Sequence, residues 1–404
     1  MGKALYRLDG WALLLLGLTA PLSLAAVNIA LGLAMLLLIA RITTDPPSAR
    51  FLVRGISIPL AVYLTIDFSA VFLSGYPPHP ADWFEDKWVL AAYIAGLGLA
   101  SQPILATRAL TGFAAAGALI GLYGIYQFFS GYDPLRGVPL EPWSGGYLAV
   151  GVFSHHLTYG GVVLAAFLVS IAATLFIKTV RQKILFALLA FLSGAGLAAS
   201  YARSAMLGAV AGLGILIALK QGKTRRNLLV SAVIIVIVLL VAFPGLWDRF
   251  SNAFSSGEHS ESPRIRLWLS SLVIIAHNPL FGVGQSNFGT AFEQYKLPGN
   301  YVSTAHPHCD LLSIAVDGGL VALAVFIFVL VVFFRRASRS LGICRSGDYS
   351  PYRWLFAAAI SLTVAILAAG LFQNYLSDAE VANIFWLVIG LAMGVEARIA
   401  STYD

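Results

Sequence analysis

Residues 244–309 read PGLWDRFSNAFSSGEHSESPRIRLWLSSLVIIAHNPLFGVGQSNFGTAFEQYKLPGNYVSTAHPHC and form one long polar interruption in an otherwise apolar chain. Of the 404 residues, 59% are hydrophobic and only 11% are charged, whereas a soluble domain usually carries about 25% charged residues. Apolar runs close to the roughly 20 residues that span a bilayer recur along the whole chain. The composition therefore predicts an all-α polytopic membrane protein with one long loop outside the membrane.

The hydropathy pattern predicts about twelve transmembrane helices. The predicted spans are 10–21, 23–40, 56–74, 88–101, 107–129, 153–177, 183–200, 203–219, 227–243, 310–334, 353–373 and 379–397. Nine helices then fall in residues 1–243, a large loop with short interfacial helices in residues 244–309, and three helices in residues 310–404. The first apolar stretch runs into the second without a small-residue cleavage site, so no cleaved signal peptide is expected.

The distribution of lysine and arginine predicts the orientation in the membrane. With the N-terminus in the cytoplasm, nineteen of the 26 basic residues lie on the cytoplasmic side, as positively charged loops usually do. Both termini are then cytoplasmic, and the long loop lies outside. All seven histidines fall on that outer side, so any chemistry is expected there. The net charge is +7, but most of the basic residues lie in short loops between helices, so no nucleic-acid partner is expected.

The long loop carries signals for two short helices. Ser262 and Pro263 suit the N-cap and first positions of a helix, and Asn278 with Pro279 ends it. At about 13 residues this helix is too short to span a bilayer and should lie at its surface. A second helix is expected at about Asn287–Lys296, and Pro307 is expected to occupy the first position of the tenth membrane helix.

Three arginines are candidate anion ligands. Arg264 and Arg266 lie at a predicted helix N-terminus, which attracts anions, and the guanidinium group fits phosphate oxygens. Because they are two residues apart, only one can face the site; both could instead hold lipid headgroups. Arg203 lies between two apolar helices, where an arginine marks either a bound partner or a side chain that reaches the membrane surface.

His308 is the candidate general base. It is expected in the first turn of a membrane helix, where the helix dipole disfavours the imidazolium and keeps the ring neutral near pH 7. A neutral imidazole at the mouth of a pocket is what a general base requires. The alternative is an interfacial histidine that is hydrogen-bonded to a carbonyl. His306 and His308 could also bind a metal ion, but no clear third ligand accompanies them.

Other polar residues have open interpretations. Asp67 is expected to pair with a buried polar group, and Trp83 to anchor the protein at the membrane interface. The outer loop that contains Arg136 is a candidate wall for a polar substrate. His156 suits either substrate contact or the interface. Polar residues at 373–380 could contact sugar hydroxyls, but a solvated turn is the default expectation.

The outer half of the chain resembles the O-antigen ligase and polymerase superfamily. The matching residues are Arg264–Trp268, Asn278–Gly284, Asn287-Phe288, His308 with Gly318-Gly319, and upstream Ser200–Ser204. The resemblance implies a GT-C-like glycosyltransferase in the bacterial inner membrane, with its active site on the periplasmic face. It implies no metal and no other cofactor.

In the ligase branch, the resemblance implies transfer of a glycan from undecaprenyl diphosphate to lipid A–core oligosaccharide. His308 would be the catalytic histidine, and Arg203 and Arg264 (or Arg266) would bind the diphosphate. Further contacts to phosphate or sugar would come from Arg266, His306, Arg136, His156 and Asn287.

Two alternatives stay open at this point. Ligases often carry Asn, Ser or Gln after the histidine, where this chain has Cys309, so a polymerase of the same superfamily is the first alternative. A transporter of lipid-linked sugars is the second, although transporters place polar sites at the membrane midplane and this chain gathers them on one face. The bilayer is an expected partner, and the oligomeric state is open, with a monomer compatible.

Overall fold

The computed structural model describes residues 2–100, 102–143, 145–227, 229–230, 263–299, 301 and 306–403. Within these ranges the chain is almost entirely helical. Seven of the described helices are long and apolar enough to cross a membrane, namely Leu24–Thr44, Pro103–Ser130, His156–Phe176, Val180–Ala199, Asp310–Ile343, Ser350–Ala369 and Ala379–Thr402. The predicted class of helical polytopic membrane protein is therefore confirmed.

The N-terminal part contains five α-helices and two 3-10 segments. The helices are α1 (Gly2–Thr19), α2 (Leu24–Thr44), α3 (Ser57–Leu73), α4 (Pro80–Lys87) and α5 (Ala91–Leu99), and the 3-10 segments are Pro46–Val53 and Trp88–Leu90. The predicted span 88–101 is helical as far as Leu99, where the 3-10 turn Trp88–Leu90 runs directly into the nine-residue α5. Helix α4, which precedes it, was not predicted.

Helix α4 is held against α3 by a buried carboxylate. The indole N–H of Trp83 donates to Asp67 at 2.8 Å, and the Lys87 ammonium group lies 3.5 Å from the same carboxylate. Asp67 is only 4% exposed, and a buried charge needs such partners. The expected pairing of Asp67 is confirmed, but Trp83 is buried and is not an exposed interfacial anchor.

The middle of the chain forms a tightly packed group of helices. It contains α6 (Pro103–Ser130), α7 (His156–Phe176), α8 (Val180–Ala199) and α9 (Arg203–Ala218), with two antiparallel hairpins after α6 that pair Tyr132–Asp133 with Val138–Pro139 and Pro142–Trp143 with Gly146–Tyr147. Glycines allow close approach: a Cβ on Gly121 would lie 2.5 Å from the Leu192 carbonyl oxygen of α8. Small residues at helix contacts are typical of membrane bundles.

The C-terminal part carries the two loop helices and the last membrane helices. These are α10 (Pro263–His277), α11 (Phe288–Tyr295), α12 (Asp310–Ile343), α13 (Arg353–Ala369) and α14 (Ala379–Tyr403). Helix α10 packs against α11 and α12, α13 packs against α7 and α9, and α14 packs against α5. The predicted span 227–243, apart from a few residues, and the expected N-cap Ser262 lie outside the described residues.

Helix α12 begins at Asp310, where the predicted span 310–334 also begins, but Pro307 lies outside it. Pro307 is not at its first position, because His308 has a φ of 53° and the extended Cys309 is the N-cap of a helix that starts at Asp310. A residue in the left-handed region cannot continue a right-handed helix. The helix also runs on to Ile343, beyond the predicted end at residue 334.

A kink in α12 docks the loop that follows α10. Gly319 has φ 76° and ψ 179°, a conformation that is essentially restricted to glycine. Three backbone hydrogen bonds join the loop to this kink, from Val283 N–H to Val316 O (2.7 Å), from Gly284 N–H to Asp317 O (2.9 Å) and from Leu320 N–H to Pro279 O (2.8 Å). A Cβ on Gly319 would lie 2.2 Å from the Leu280 carbonyl oxygen, so this contact requires glycine.

Candidate functional site

Three segments that are distant in sequence bring two arginines and an imidazole together. Arg203 is the first residue of α9, Arg264 is the second residue of α10, and His308 lies in the turn before α12. The charge of Arg203 acts on Arg264, and the charge of Arg264 acts on His308. The three residues predicted to be catalytic therefore lie in one neighbourhood, while their roles stay predictions.

Arg264 is half-buried beside a second positive charge. Burial lowers the pKa of its guanidinium group, and the like charge of Arg203 lowers this pKa further. Among the residues that the structure describes, no carboxylate forms an ion pair with Arg264. Like charges in a partly buried place repel each other, so an anion bound beside them would be stabilised.

Arg266 contacts the turn after α11. Its guanidinium group donates to the carbonyl oxygen of Pro298 and lies so close to Gly299 that a Cβ there would clash with it. Arg266 thereby joins α10 to the turn after α11. Arg264 is the member of the pair whose charge acts on His308.

His308 is oriented by an amide from the loop between α13 and α14. Its Nδ1 lies 3.3 Å from Oε1 of Gln373, so with the amide oxygen accepting, Nδ1 carries the proton and Nε2 keeps its lone pair. Burial lowers the pKa of His308, the bond to Gln373 raises it, and the charges of Arg264 and His155 lower it. The ring is therefore neutral near pH 7. The cause is burial and nearby charge and not the helix dipole, because His308 lies outside the first turn of α12.

His306 supports the turn that carries His308. The two ring centroids are 4.1 Å apart, and the backbone N–H of His308 donates to Nδ1 of His306 at 3.2 Å. Burial, together with the neighbouring His308, lowers the pKa of His306 to about 4. His306 is thus a neutral imidazole with its proton on Nε2. Across the described ranges, no three His, Cys, Asp or Glu side chains converge as a metal site would require.

Strained backbone conformations occur in three turns of the chain, one of which carries His308. Within the described part of the chain, the non-glycine residues with positive φ are Tyr201 (49°), Ser286 (66°) and His308 (53°). Tyr201 lies two residues before Arg203 in the sequence. Such conformations cost of the order of 1–3 kcal/mol each and are typical of functional sites. Sequence reasoning did not identify Tyr201 or Ser286, because neither residue type signals a positive φ.

A cavity of about 400 Å³ adjoins the histidine pair. Its walls come from the loop after α10, the start of α12 and the loop between α13 and α14, through Gln285, Ser286, Phe288, His306, Pro307, Ser313, Asp317, Gln373, Asn374, Ser377 and Asp378. A concave site of this size with convergent polar groups is typical of a small-molecule site. The default expectation of a solvated turn at 373–380 is therefore wrong. It was made because the sequence carries no signal for the packing of this loop on α12.

The loop between α13 and α14 is held in place by contacts that sequence reasoning missed. The Asp310 backbone N–H donates to the Gly370 carbonyl at 2.7 Å, and the Asp310 carboxylate accepts from the Leu376 N–H at 3.0 Å. The Thr158 hydroxyl of α7 donates to Asp378 at 2.6 Å. These contacts fix the loop that orients the catalytic candidate. An acidic residue in the first turn of α12 was the available signal for Asp310.

Two predicted substrate contacts make architectural bonds. Asn287 is buried, and its amide donates to the Pro77 carbonyl at 2.9 Å. Arg136 lies 2.8 Å from the buried carboxylate of Asp133 and donates to the Phe153 carbonyl oxygen. Neither residue belongs to the cavity wall described above.

The histidines that open α7 border the site instead of filling it. Nδ1 of His156 lies 3.0 Å from the Ser200 carbonyl oxygen, in the turn that leads to Arg203. The ring of His155 is 4.8 Å from that of His156, and its charge acts on His308. The first turn of α7 therefore lies next to both the arginine of α9 and the candidate base.

A comparison with known families agrees with the residues that form this neighbourhood. The family model described as O-Antigen ligase matches residues 186–327 of the chain. This range runs from α8 into α12 and includes Arg203, Arg264, His308 and the glycine of the kink. No curated protein matches the chain. The match confirms the resemblance to the O-antigen ligase and polymerase superfamily.

Proposed function

We propose that this chain is an O-antigen ligase, which moves a glycan from undecaprenyl diphosphate to lipid A–core oligosaccharide. The observation that supports this most directly is that the charge of Arg203 acts on Arg264 and the charge of Arg264 acts on His308. Transfer from a lipid diphosphate needs cations for the leaving group and a base for the acceptor hydroxyl. The chain supplies both from segments that are far apart in sequence.

The proposal includes the setting of the enzyme. The excess of lysine and arginine on one side supports cytoplasmic termini and a periplasmic active site in the bacterial inner membrane. The helical bundle with its short loop helices supports a GT-C-like arrangement. The lipid carrier and the acceptor would both reach the site from the outer leaflet, where α10 and α11 lie in this orientation.

In the proposed reaction, Nε2 of His308 takes the proton of an acceptor hydroxyl. The hydroxyl oxygen attacks the anomeric carbon of the donor glycan, the bond to the diphosphate oxygen breaks, and the configuration inverts. Gln373 keeps the proton on Nδ1, so that Nε2 is free to act as the base, and the amide oxygen stabilises the imidazolium that forms.

Arg203 and Arg264 would bind the departing diphosphate. Negative charge increases on this group as the glycosidic bond breaks, and fixed cations stabilise that charge in the transition state. Each arginine also lies at the start of a helix, where free N–H groups favour anions. The diphosphate is already a leaving group, so the proposal needs no nucleotide.

The test is glycan transfer by the purified protein from an undecaprenyl-diphosphate-linked glycan to rough lipopolysaccharide. We expect His308→Ala to lower the rate by about 10²- to 10⁴-fold, the usual contribution of a general base. The matched control is His277→Ala, because His277 is exposed, stacks on the Tyr295 ring at 4.5 Å and otherwise has its Nδ1 2.9 Å from the Val273 carbonyl oxygen of its own helix. Transfer by His308→Ala at the wild-type rate would show that the proposed mechanism is wrong.

Ligase and polymerase activities differ in what accumulates when the gene is deleted. A ligase deletion leaves long glycan on the lipid carrier and none on lipid A–core. A polymerase deletion leaves single repeat units attached to lipid A–core. We expect the first pattern, and the second pattern would assign the same site to chain polymerisation.

A further inference from the structure

The cavity beside the histidine pair has an amide in its wall. Asn374 lines the cavity and is 7% exposed, and its amide N–H donates to the Ser313 hydroxyl at 2.8 Å. Gln373 and Ser313 line the same cavity. The wall thus offers amide and hydroxyl groups that can form hydrogen bonds with a polar occupant.

Two carboxyl groups extend the acceptor character of the same cavity. Asp317 of α12 and Asp378 before α14 both line it. Burial raises the pKa of Asp378 to about 6, the bond from Thr158 lowers it and the charge of Glu380 raises it, so this carboxyl is mostly ionised at pH 7. Of the described residues that line the cavity, none is lysine or arginine.

Lys87 lies behind this wall but does not make it a cationic site. Its charge acts on Asp317. The ammonium group itself lies 2.7 Å from Asp86 and 3.5 Å from the buried carboxylate of Asp67. One ammonium group therefore interacts with three carboxyl groups, those of Asp67, Asp86 and Asp317, so its charge is not available to bind a phosphate in the cavity.

We propose that this cavity binds the acceptor sugar and selects a ring that carries free hydroxyls and no phosphate or carboxylate beside the accepting hydroxyl. The inference rests on the proposed function, since it assigns the cavity to the acceptor. Sugar hydroxyls both donate and accept hydrogen bonds, so they can bond to the amide, hydroxyl and carboxyl groups of the wall. An anionic substituent can only accept, and it meets like charge at Asp378.

The position of the cavity relative to the base agrees with this assignment. Gln373 lines the cavity and also bonds to the His308 ring, and His306 lines it and packs against the same ring. A sugar held there presents its hydroxyls next to the candidate base. The anionic donor group is attracted to the arginines and is disfavoured in the cavity, so charge alone decides which substrate occupies which side.

The experiment compares two acceptors that differ in one group. Purified full-length protein in phospholipid nanodiscs receives an undecaprenyl-diphosphate-linked glycan and two oligosaccharides with the same terminal hexose. One of the two carries a phosphate monoester next to the accepting hydroxyl. Binding of each oligosaccharide and transfer to each are measured separately. We expect at least about tenfold preference for the neutral acceptor in both measurements, which corresponds to about 1.4 kcal/mol.

A variant at the cavity rim tests the electrostatic cause. Ser377 is exposed and lines the cavity, so a lysine is expected to be tolerated there. Ser377→Lys should reduce the preference for the neutral acceptor by roughly fivefold or more relative to Ser377→Gln, which adds similar length without charge. Asn374→Leu should raise KM for the neutral acceptor while KM for the donor stays unchanged.

Each outcome decides one of the two ideas. Equal use of the two acceptors, or a preference for the phosphorylated one, overturns the inference. Selective binding of the neutral acceptor without any transfer supports the inference and overturns the proposed reaction. An unchanged preference in Ser377→Lys shows that charge in the cavity does not cause the selectivity and also overturns the inference.

Discussion

Two groups of residues near His308 differ in both charge and construction. Arg203 and Arg264 come from the first residues of two helices. The cavity is lined mainly by amide, hydroxyl and carboxyl groups from loops and from the start of α12. Helix starts provide fixed positive ends for an anion, whereas loops provide hydrogen-bonding groups in many directions. This contrast is the reason for proposing that the arginines bind a diphosphate and that the cavity binds a hydroxylated sugar.

The largest effect is expected on the cationic side, from the pair of arginines in α10. Arg264→Ala should lower the transfer rate by about 10²-fold or more, since it removes charge stabilisation of the leaving group. Arg266→Ala should lower it by much less, because Arg266 bonds to the Pro298 carbonyl. Initial rates of the two purified variants at saturating acceptor make the comparison.

The same pair of variants can also break the comparison. If Arg266→Ala loses as much activity as Arg264→Ala at equal thermal stability, then the division of roles between the two arginines is wrong. Equal and small losses would instead indicate that both arginines contact lipid headgroups, and the leaving group would need another cation.

The second prediction concerns the contact that holds the cavity wall to α12. Gly319→Ala should lower the free energy of unfolding by roughly 2–4 kcal/mol, because its Cβ would meet the Leu280 carbonyl oxygen at 2.2 Å and its φ is 76°. Gly342→Ala in the same helix is the control, since a Cβ there meets nothing within 4 Å. Thermal unfolding in detergent measures both, and equal melting temperatures would refute the clash.

The sequence indicated the cationic side of the site better than the cavity. Arg203 stood out because an arginine between apolar helices is costly, and the two-residue spacing of Arg264 and Arg266 already required them to diverge. The helix signals at Pro263 and Asn278 also located α10 correctly. These features depend on local periodicity and on charge, which can be assessed in a single stretch of sequence.

The cavity depends on long-range packing that one sequence does not reveal. Gln373 and Asn374 look like an exposed turn until the buried contacts of Asp310 and Thr158 pull their loop onto the bundle. The position of Pro307 outside α12 likewise follows from the positive φ of His308, a conformation that no residue-type rule predicts for histidine. The bond from Asn287 to the Pro77 carbonyl could not be predicted either, because the two residues are more than two hundred positions apart.

The smallest expected effect is a change in the pH dependence of transfer, and it tests the effects of Gln373 and Arg264 on His308 together. Protonated His308 cannot act as a base, so the rate should fall as pH drops through its pKa, which burial lowers below 6.5. The bond to Gln373 raises this pKa, so Gln373→Leu should move the acid limb to lower pH. The charge of Arg264 lowers it, so Arg264→Gln should move the acid limb to higher pH. Rate–pH profiles at saturating donor, together with NMR titration of the histidine rings, measure the shifts. Shifts of the two variants in the same direction would mean that Arg264 and Gln373 do not have opposite effects on the pKa of His308.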